Sequence, residues 1–178
     1  ALRLNTTGQY NVAVGAYALD ANTTGNGNTA TGYRALTYNT TGHTLTAFGS
    51  RALHENTTGT YNTACGYEAS NNNTTGEYNT SLGYAALKDL TTGHQNTGLG
   101  MQAGDNITTG SNNIVIGSGA DASANNVSNE VTIGNSNITK FRIPGISLEA
   151  NASAVTQGGV FYENSTTVSA NYTITNGR

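Results

Sequence analysis

Residues 56–70 read NTTGTYNTACGYEAS, and the recurrence of this stretch along the chain decides the fold. Taken alone it could be a small reactive site, because Cys65 stands among polar, turn-forming residues. Its tripeptide Thr-Thr-Gly, however, begins again at a constant interval of seventeen positions, at Thr6, Thr23, Thr40, Thr57, Thr74, Thr91 and Thr108. A second glycine keeps the same interval at Gly15, Gly32, Gly49, Gly66, Gly83, Gly100, Gly117 and Gly134. Eight repeats without an insertion or deletion indicate a stack of equivalent units.

The unit must be built from strands and turns. Helical repeats of about 33 to 47 residues are too long for it, and two glycine turns per unit would break helices. Residues at the same position of successive repeats are called a column here and are named after the first member. The Val12 column is β-branched throughout, as strands prefer: Val12, Thr29, Thr46, Thr63, Thr80, Thr97, Ile114 and Val131.

The next two columns are the Ala13 column, nearly all small, and the Val14 column, mostly large and apolar. The first contains Ala13, Ala30, Ala47, Ala64, Ser81, Gly98, Val115 and Thr132; the second contains Val14, Thr31, Phe48, Cys65, Leu82, Leu99, Ile116 and Ile133. Consecutive strand residues face opposite sides, so one column faces the narrow interior of the coil and the other faces outward. Because the outward column is apolar too, the simplest partner for it is another copy of the chain.

Alanine and asparagine columns complete the pattern. Ala18, Ala35, Ala52, Ala69, Ala86, Ala103 and Ala120 are unbroken, and Asn11, Asn28, Asn62, Asn79, Asn96 and Asn113 could stack as a ladder in which Leu45 is the exception. Asn-Thr-Thr-Gly predicts a turn whose glycine takes a positive φ, and the step after the second glycine predicts another corner. Residues 1–136 are therefore predicted to form an all-β parallel solenoid of eight coils, roughly 38 Å tall at about 4.8 Å per coil.

Composition excludes several classes of function. Seven Lys and Arg against ten Asp and Glu leave no basic patch for nucleic acid. No apolar run approaches the ~20 residues that span a bilayer, so membrane insertion is not expected. One cysteine excludes an intrachain disulfide, and the low charged fraction, 10%, with many Asn and Thr residues, favours an extracellular protein.

The frame Asn28-Thr29-Ala30-Thr31-Gly32-Tyr33-Arg34-Ala35-Leu36 resembles the head repeats of trimeric autotransporter adhesins. The Asn-Thr-Thr-Gly version looks more like repeats of bacteriophage tail fibres. The stretch from Glu130 to Ser136, running into Lys140–Gly145, is similar to the segment that closes such fibre repeats. The resemblance implies a left-handed β-roll assembled as a homotrimer.

After Gly134 the period ends. Residues 140–143, 158–162 and 172–175 each predict a short strand. Residues 137–178 are interpreted as a C-terminal cap, neck or strand-exchange segment that covers the last coil or docks on the next subunit.

Candidate site residues are few. Exposed tyrosines could contact a glycan or simply stabilise the stack: Tyr10, Tyr61 and Tyr78 in one column, Tyr33, Tyr67 and Tyr84 in another. Asn5, Asn22, Asn39, Asn56 and Asn73 begin Asn-x-Thr sequons and are either glycosylation sites or turn residues. Cys65 belongs to an apolar column and is predicted to be a buried hydrophobe rather than a nucleophile. His43 and His94 lie three coils apart, so neither a metal nor a cofactor site is predicted.

The sequence thus predicts a non-enzymatic, extracellular fibre segment, a rigid spacer with a receptor-contacting surface, most simply in a phage tail fibre. Its expected partners are two further copies of the chain, end-to-end neighbours in a filament, and a cell-surface glycan or protein receptor. A bacterial surface adhesin head or filament subunit is one alternative. A polysaccharide depolymerase of a tailspike is another, which a carboxylate pair facing one groove would support.

Overall fold

A computed structural model of the chain describes residues 1–140. It contains eight parallel strands of three residues in a single sheet, in chain order. They are β1 (Val12–Val14), β2 (Thr29–Thr31), β3 (Thr46–Phe48), β4 (Thr63–Cys65), β5 (Thr80–Leu82), β6 (Thr97–Leu99), β7 (Ile114–Ile116) and β8 (Val131–Ile133). Each residue pairs with the equivalent residue of the next repeat, as Val12 does with Thr29. The predicted β-solenoid, with one sequence repeat in each coil, is confirmed; β1 and β8 are separated by seven turns.

The interior holds the Ala13 column, as predicted, and also the Ala18 column. Ala30, Ala47 and Ala64 are fully buried, and so is the alanine column from Ala18 to Ala120. Leucines fill the remaining space, namely Leu19, Leu36, Leu53 and Leu87. A coil this short encloses so little volume that only small side chains fit on the strand side, which explains the alanines.

The Val12 and Val14 columns face outward, opposite to the Ala13 column. Phe48, Leu82 and Val131 are 58%, 47% and 63% exposed in the single chain. The alternation expected for a strand is therefore confirmed, but the chain supplies no second layer over this side of the sheet within residues 1–140.

The role predicted for the Thr-Thr-Gly glycine is wrong. Gly59 and its equivalents do not have a positive φ. A Cβ on Gly59 would instead lie 2.4 Å from the carbonyl oxygen of Gly76 and 2.6 Å from Oδ1 of Asn56. Glycine is required here because the backbones of successive coils approach closely, not because the turn is left-handed.

The left-handed corners lie elsewhere. The glycine after each strand has a φ between 126° and 140° from Gly15 to Gly117, which confirms the second predicted corner. Three further columns also take positive φ with ordinary side chains, as at Tyr61, Glu68 and Leu53. Each such residue costs about 1 kcal/mol or more, and the backbone hydrogen bonds between coils must offset this.

The predicted asparagine ladder exists, but mostly through the backbone. Oδ1 of Asn62 accepts the backbone N–H of Asn79 at 2.9 Å, and Nδ2 of Asn62 donates to the carbonyl of Gly76 at 2.7 Å. Direct amide-to-amide bonds in this column join only Asn96 to Asn79 and Asn113 to Asn96 within the described coils. Each buried amide thus links its own coil to the next one.

The predicted C-terminal cap and its three strands fall almost wholly outside the described residues. The homotrimer stays a prediction, because the structure contains one chain. The boundary between residues 136 and 137 stays a prediction.

Candidate functional site

One side of the solenoid is the main candidate for a recognition surface. It is the sheet face, defined as the Val12 and Val14 columns with the two outward columns beside them. These are the Tyr10 column (Tyr10, Gly27, Thr44, Tyr61, Tyr78, Gln95, Asn112, Asn129) and the Ala16 column (Ala16, Tyr33, Ser50, Tyr67, Tyr84, Met101, Ser118, Asn135). None of these four columns contains a charged residue over eight coils.

The sheet face is a large uncharged surface. It measures about 34 Å along the stack and about 20 Å across, roughly 700 Å². One side of a standard protein interface is about 800 Å². The exposed aliphatic and phenylalanine side chains of the Val12 and Val14 columns are Val12, Val14, Phe48, Leu82, Leu99, Ile114, Val131 and Ile133. A face of this size and composition fits a partner protein better than bulk water.

Cys65 lies on this face. Its neighbours along the column are Phe48 and Leu82, as predicted from the period. Its predicted burial is wrong for the single chain, because Cys65 points outward and is only half-buried. The interior position belongs to its neighbour Ala64.

The first group of candidate tyrosines is divided by the structure. Tyr61 and Tyr78 stack in parallel, with ring centroids 4.9 Å apart and planes 5° apart. The His43 ring meets Tyr61 edge to face at 5.1 Å. Tyr10 has no aromatic ring against it within residues 1–140 and is 86% exposed. Rings stacked this closely cover each other's faces, so a sugar cannot enter between Tyr61 and Tyr78.

The second group behaves similarly, with one exception. Tyr67 and Tyr84 stack at 5.3 Å and 10°. Tyr33 instead meets Tyr17 edge to face, with centroids 6.2 Å apart and planes at 78°. The guanidinium carbon of Arg34 lies 5.2 Å from the Tyr33 centroid and 5.7 Å from the Tyr17 centroid. Tyr17 and Arg34 were not predicted as site residues, although they stand one repeat apart and must therefore be neighbours in adjacent coils.

The five sequon asparagines form a second ladder that the sequence pattern did not predict. Nδ2 of Asn56 donates to Oδ1 of Asn39 in the preceding coil at 2.9 Å and to the carbonyl of Gly59 at 3.1 Å. The same pair of bonds recurs at Asn22, Asn39 and Asn73. Glycosylation at Asn22, Asn39, Asn56 and Asn73 is contradicted, because these side chains are fully buried and a glycan could not leave the interior. Asn5, at the start of the ladder, is half-buried.

Replacing Asn56 with leucine is expected to destabilise the solenoid by about 3–6 kcal/mol. The change removes two donated bonds and the acceptor of Asn73, so buried groups in three coils lose partners. Chemical unfolding followed by circular dichroism measures the loss.

Asn73→Leu is the matched control. Leu90 occupies the same column one coil later, so the ladder ends at Asn73, whose Oδ1 has no partner in the described structure. Substitution there removes that unpaired atom and is expected to cost less than Asn56→Leu. Equal losses would contradict the ladder as the source of stability.

A charged cluster crosses three coils beside the sheet face. The Glu68 carboxylate lies 2.8 Å from Nζ of Lys88 and 3.2 Å from Nη1 of Arg51. The hydrogen bond from Lys88, then those from Tyr67 and Arg51, hold the pKa of Glu68 below its usual value. The hydrogen bond that Tyr67 donates to Glu68, followed by the negative charge of Glu68, raises the pKa of Tyr67. The Glu68 side chain is mostly buried, whereas the side chains of Lys88 and Arg51 are partly exposed, so water screens these contacts in part.

Stability is therefore expected to fall on acidification through Glu68. A carboxyl with a lowered folded pKa contributes fully above its ordinary pKa and loses that contribution as the pH falls through the folded value. Unfolding free energies measured between pH 7 and pH 3 should decline less steeply at the acidic end for Glu68→Gln than for the unchanged chain. Identical pH profiles would show that the cluster makes no such contribution.

Histidines provide no metal site within residues 1–140. His94 accepts the backbone N–H of Glu77 through Nδ1, and His43 packs on Tyr61. His54, for which the sequence pattern predicts no role, is buried against Tyr38 and lies 2.9 Å from Glu55. The described residues contain no group of three or more His, Cys, Asp or Glu side chains that could hold an ion.

Asp105 lies near a second acid, Asp121. Burial, followed by the charge of Asp121, raises the pKa of Asp105.

Residues 1–140 contain no helix long and apolar enough to cross a membrane. Comparison of the chain with family models, curated proteins and solved structures finds no match.

Proposed function

We propose that the chain is a segment of an extracellular fibre, a rigid spacer that also touches the host surface, in a phage tail fibre. Support comes first from the stack itself. Strand pairing joins each coil to the next. Most coils are also joined by the asparagine ladders and by threonine hydroxyls such as that of Thr57, which donates to the carbonyl of Thr74 at 3.1 Å. A stack tied at each coil resists bending, which suits a spacer.

The observation that carries the proposal is the sheet face. An uncharged face runs the whole length of the described coils, and in six of the eight it exposes a valine, leucine, isoleucine or phenylalanine side chain. Three copies arranged about an axis parallel to the stack would bury the Val12 and Val14 columns against their equivalents. The two tyrosine-bearing columns at the border of the sheet face, with the charged and turn sides, would stay in water. A homotrimer is therefore the proposed assembly, and the fibre axis is the solenoid axis.

Recognition is assigned to the surfaces that remain outside. The border of the sheet face carries the exposed tyrosines, and the side beyond it carries the charged residues. A surface with aromatic rings and hydrogen-bonding groups suits a cell-surface glycan as receptor. An enzymatic role is not proposed, since the four columns of the sheet face contain no carboxylate.

Molar mass in solution tests the assembly. Light scattering coupled to size exclusion is expected to give about 55 kDa, three times the 18.3 kDa of the chain. A mass of 18.3 kDa at micromolar concentration would contradict the trimer and, with it, the fibre.

A further inference from the structure

The three arginines within residues 1–140 differ in their ion pairs. Arg3 binds Asp20 through two nitrogens, with Nη2 to Oδ2 at 2.9 Å, and Arg51 binds Glu68. Arg34 makes no ion pair with any described residue. Its guanidinium thus keeps donors available for an external anion.

Two tyrosines hold this guanidinium in place. The Tyr17 and Tyr33 rings stand nearly perpendicular, and the guanidinium of Arg34 lies over both. Cation–π attraction of this kind fixes the head group while leaving the N–H edges free. The backbone is fixed as well, because the N–H of Arg34 donates to the carbonyl of Ala16 at 2.9 Å. The two rings are 52% and 45% exposed, so a ligand can reach them.

The surrounding charge also favours an anion. Residues 1–54 carry three arginines and a single carboxylate, Asp20, which Arg3 occupies. Residues 55–140 carry seven carboxylates against two lysines. The positive end of an otherwise acidic solenoid is therefore the end that holds Arg34.

We propose that Arg34, Tyr17 and Tyr33 form a binding site for a carboxylate-bearing sugar of an acidic polysaccharide. The planar guanidinium binds the carboxylate with two parallel hydrogen bonds. A tyrosine ring beside it takes the C–H face of the same sugar. One uronic acid residue carries both groups within a few ångströms, whereas a neutral sugar lacks the anion and a free phosphate lacks the apolar face. The two stacked tyrosine pairs have no arginine without a carboxylate partner beside them, since Arg51, near Tyr67, is bound to Glu68.

This site deepens the proposed receptor contact and rests on it. The test uses the full chain and polygalacturonate oligomers, with fully methyl-esterified oligomers and dextran sulfate as comparison ligands, measured by calorimetry. Binding of the free acid is expected, with at least about tenfold weaker binding of the ester. Arg34→Gln is expected to weaken binding of the acid at least about tenfold, and Arg34→Lys to restore only part of it because lysine lacks the planar fork.

Arg51→Gln is the matched control. It removes the same charge from the same column one coil later, where the guanidinium is already bound to Glu68. Its affinity should stay within about threefold of the unchanged chain. Two results would mean that binding is general electrostatic attraction, and would overturn the proposal. One is an equal loss of affinity for Arg34→Gln and Arg51→Gln, and the other is binding of dextran sulfate as strong as that of the free acid. Equal binding of acid and ester, or no binding of the acid, would overturn it too. None of these results changes the molar mass that decides the proposed assembly.

Discussion

Gly59→Ala is expected to prevent the solenoid from folding, or to destabilise it by more than about 4 kcal/mol. The added Cβ would meet the Gly76 carbonyl oxygen at 2.4 Å. Ordinary contacts of this kind are about 3.4 Å or longer, so the two coils would have to separate by about 1 Å. That separation strains the bonds of Asn56 and the backbone bond from Thr57 to Thr74 at once. Thermal and urea unfolding followed by circular dichroism measures the effect.

Gly27→Ala is the control for this substitution. A Cβ at Gly27 would meet nothing within 4 Å. Gly27 has a φ of 66°, and Tyr10, Thr44 and Tyr61 in the same column also lie in the left-handed region. The expected loss is about 1–2 kcal/mol, the cost of alanine in that region. Comparable losses at Gly27 and Gly59 would mean that φ, and not the close approach of coils, governs the glycines.

The period let the sequence predict the sheet in detail. Once equivalent residues of successive repeats are neighbours, the small Ala13 column must fill the narrow interior and the Val14 column must face outward. Both orientations are confirmed by the burial of Ala64 and the exposure of Leu82. Cys65 lies in the predicted column, but its burial depends on a partner that the chain alone does not contain.

Close approach and buried polarity were harder to predict. Glycine serves both left-handed turns and tight contacts, and the sequence does not distinguish these uses at Gly59. Two asparagine columns were visible, yet only the path of the coil determines that Asn56 points inward beneath Asn39. The Asn-x-Thr sequence does not distinguish the two roles, since it fits both a glycosylation site and a buried asparagine of the ladder.

The Arg34 cluster could have been found from the sequence. Applying the repeat interval to charged residues pairs Arg3 with Asp20 and Arg51 with Glu68, as the structure does. The same interval places Arg34 between Tyr17 and Arg51 and leaves it without an acid. The perpendicular arrangement of the two rings, by contrast, depends on the left-handed corner at Tyr17 and has no signal in the pattern.

Leu82→Glu is expected to convert the proposed trimer into monomers. Leu82 lies in the middle of the sheet face and is 47% exposed, so a single folded chain should accept the charge. In the trimer three carboxylates would be buried near one axis without partners, which costs several kcal/mol for each charge. Molar mass is therefore expected to fall from about 55 kDa to 18.3 kDa, while the circular dichroism spectrum of the coils is retained.

Thr75→Glu is the control for Leu82→Glu. Thr75 is exposed in the turn that precedes β5, on a column that does not belong to the sheet face. It gains the same charge, so a general effect of charge on association would lower the molar mass of both variants. A Leu82→Glu variant that still has the mass of a trimer would move the interface to another side of the solenoid. If only Leu82→Glu dissociates, the Val12 and Val14 columns form the core of the assembly. These side chains are exposed in a single chain, and the two other copies of the trimer would then bury them.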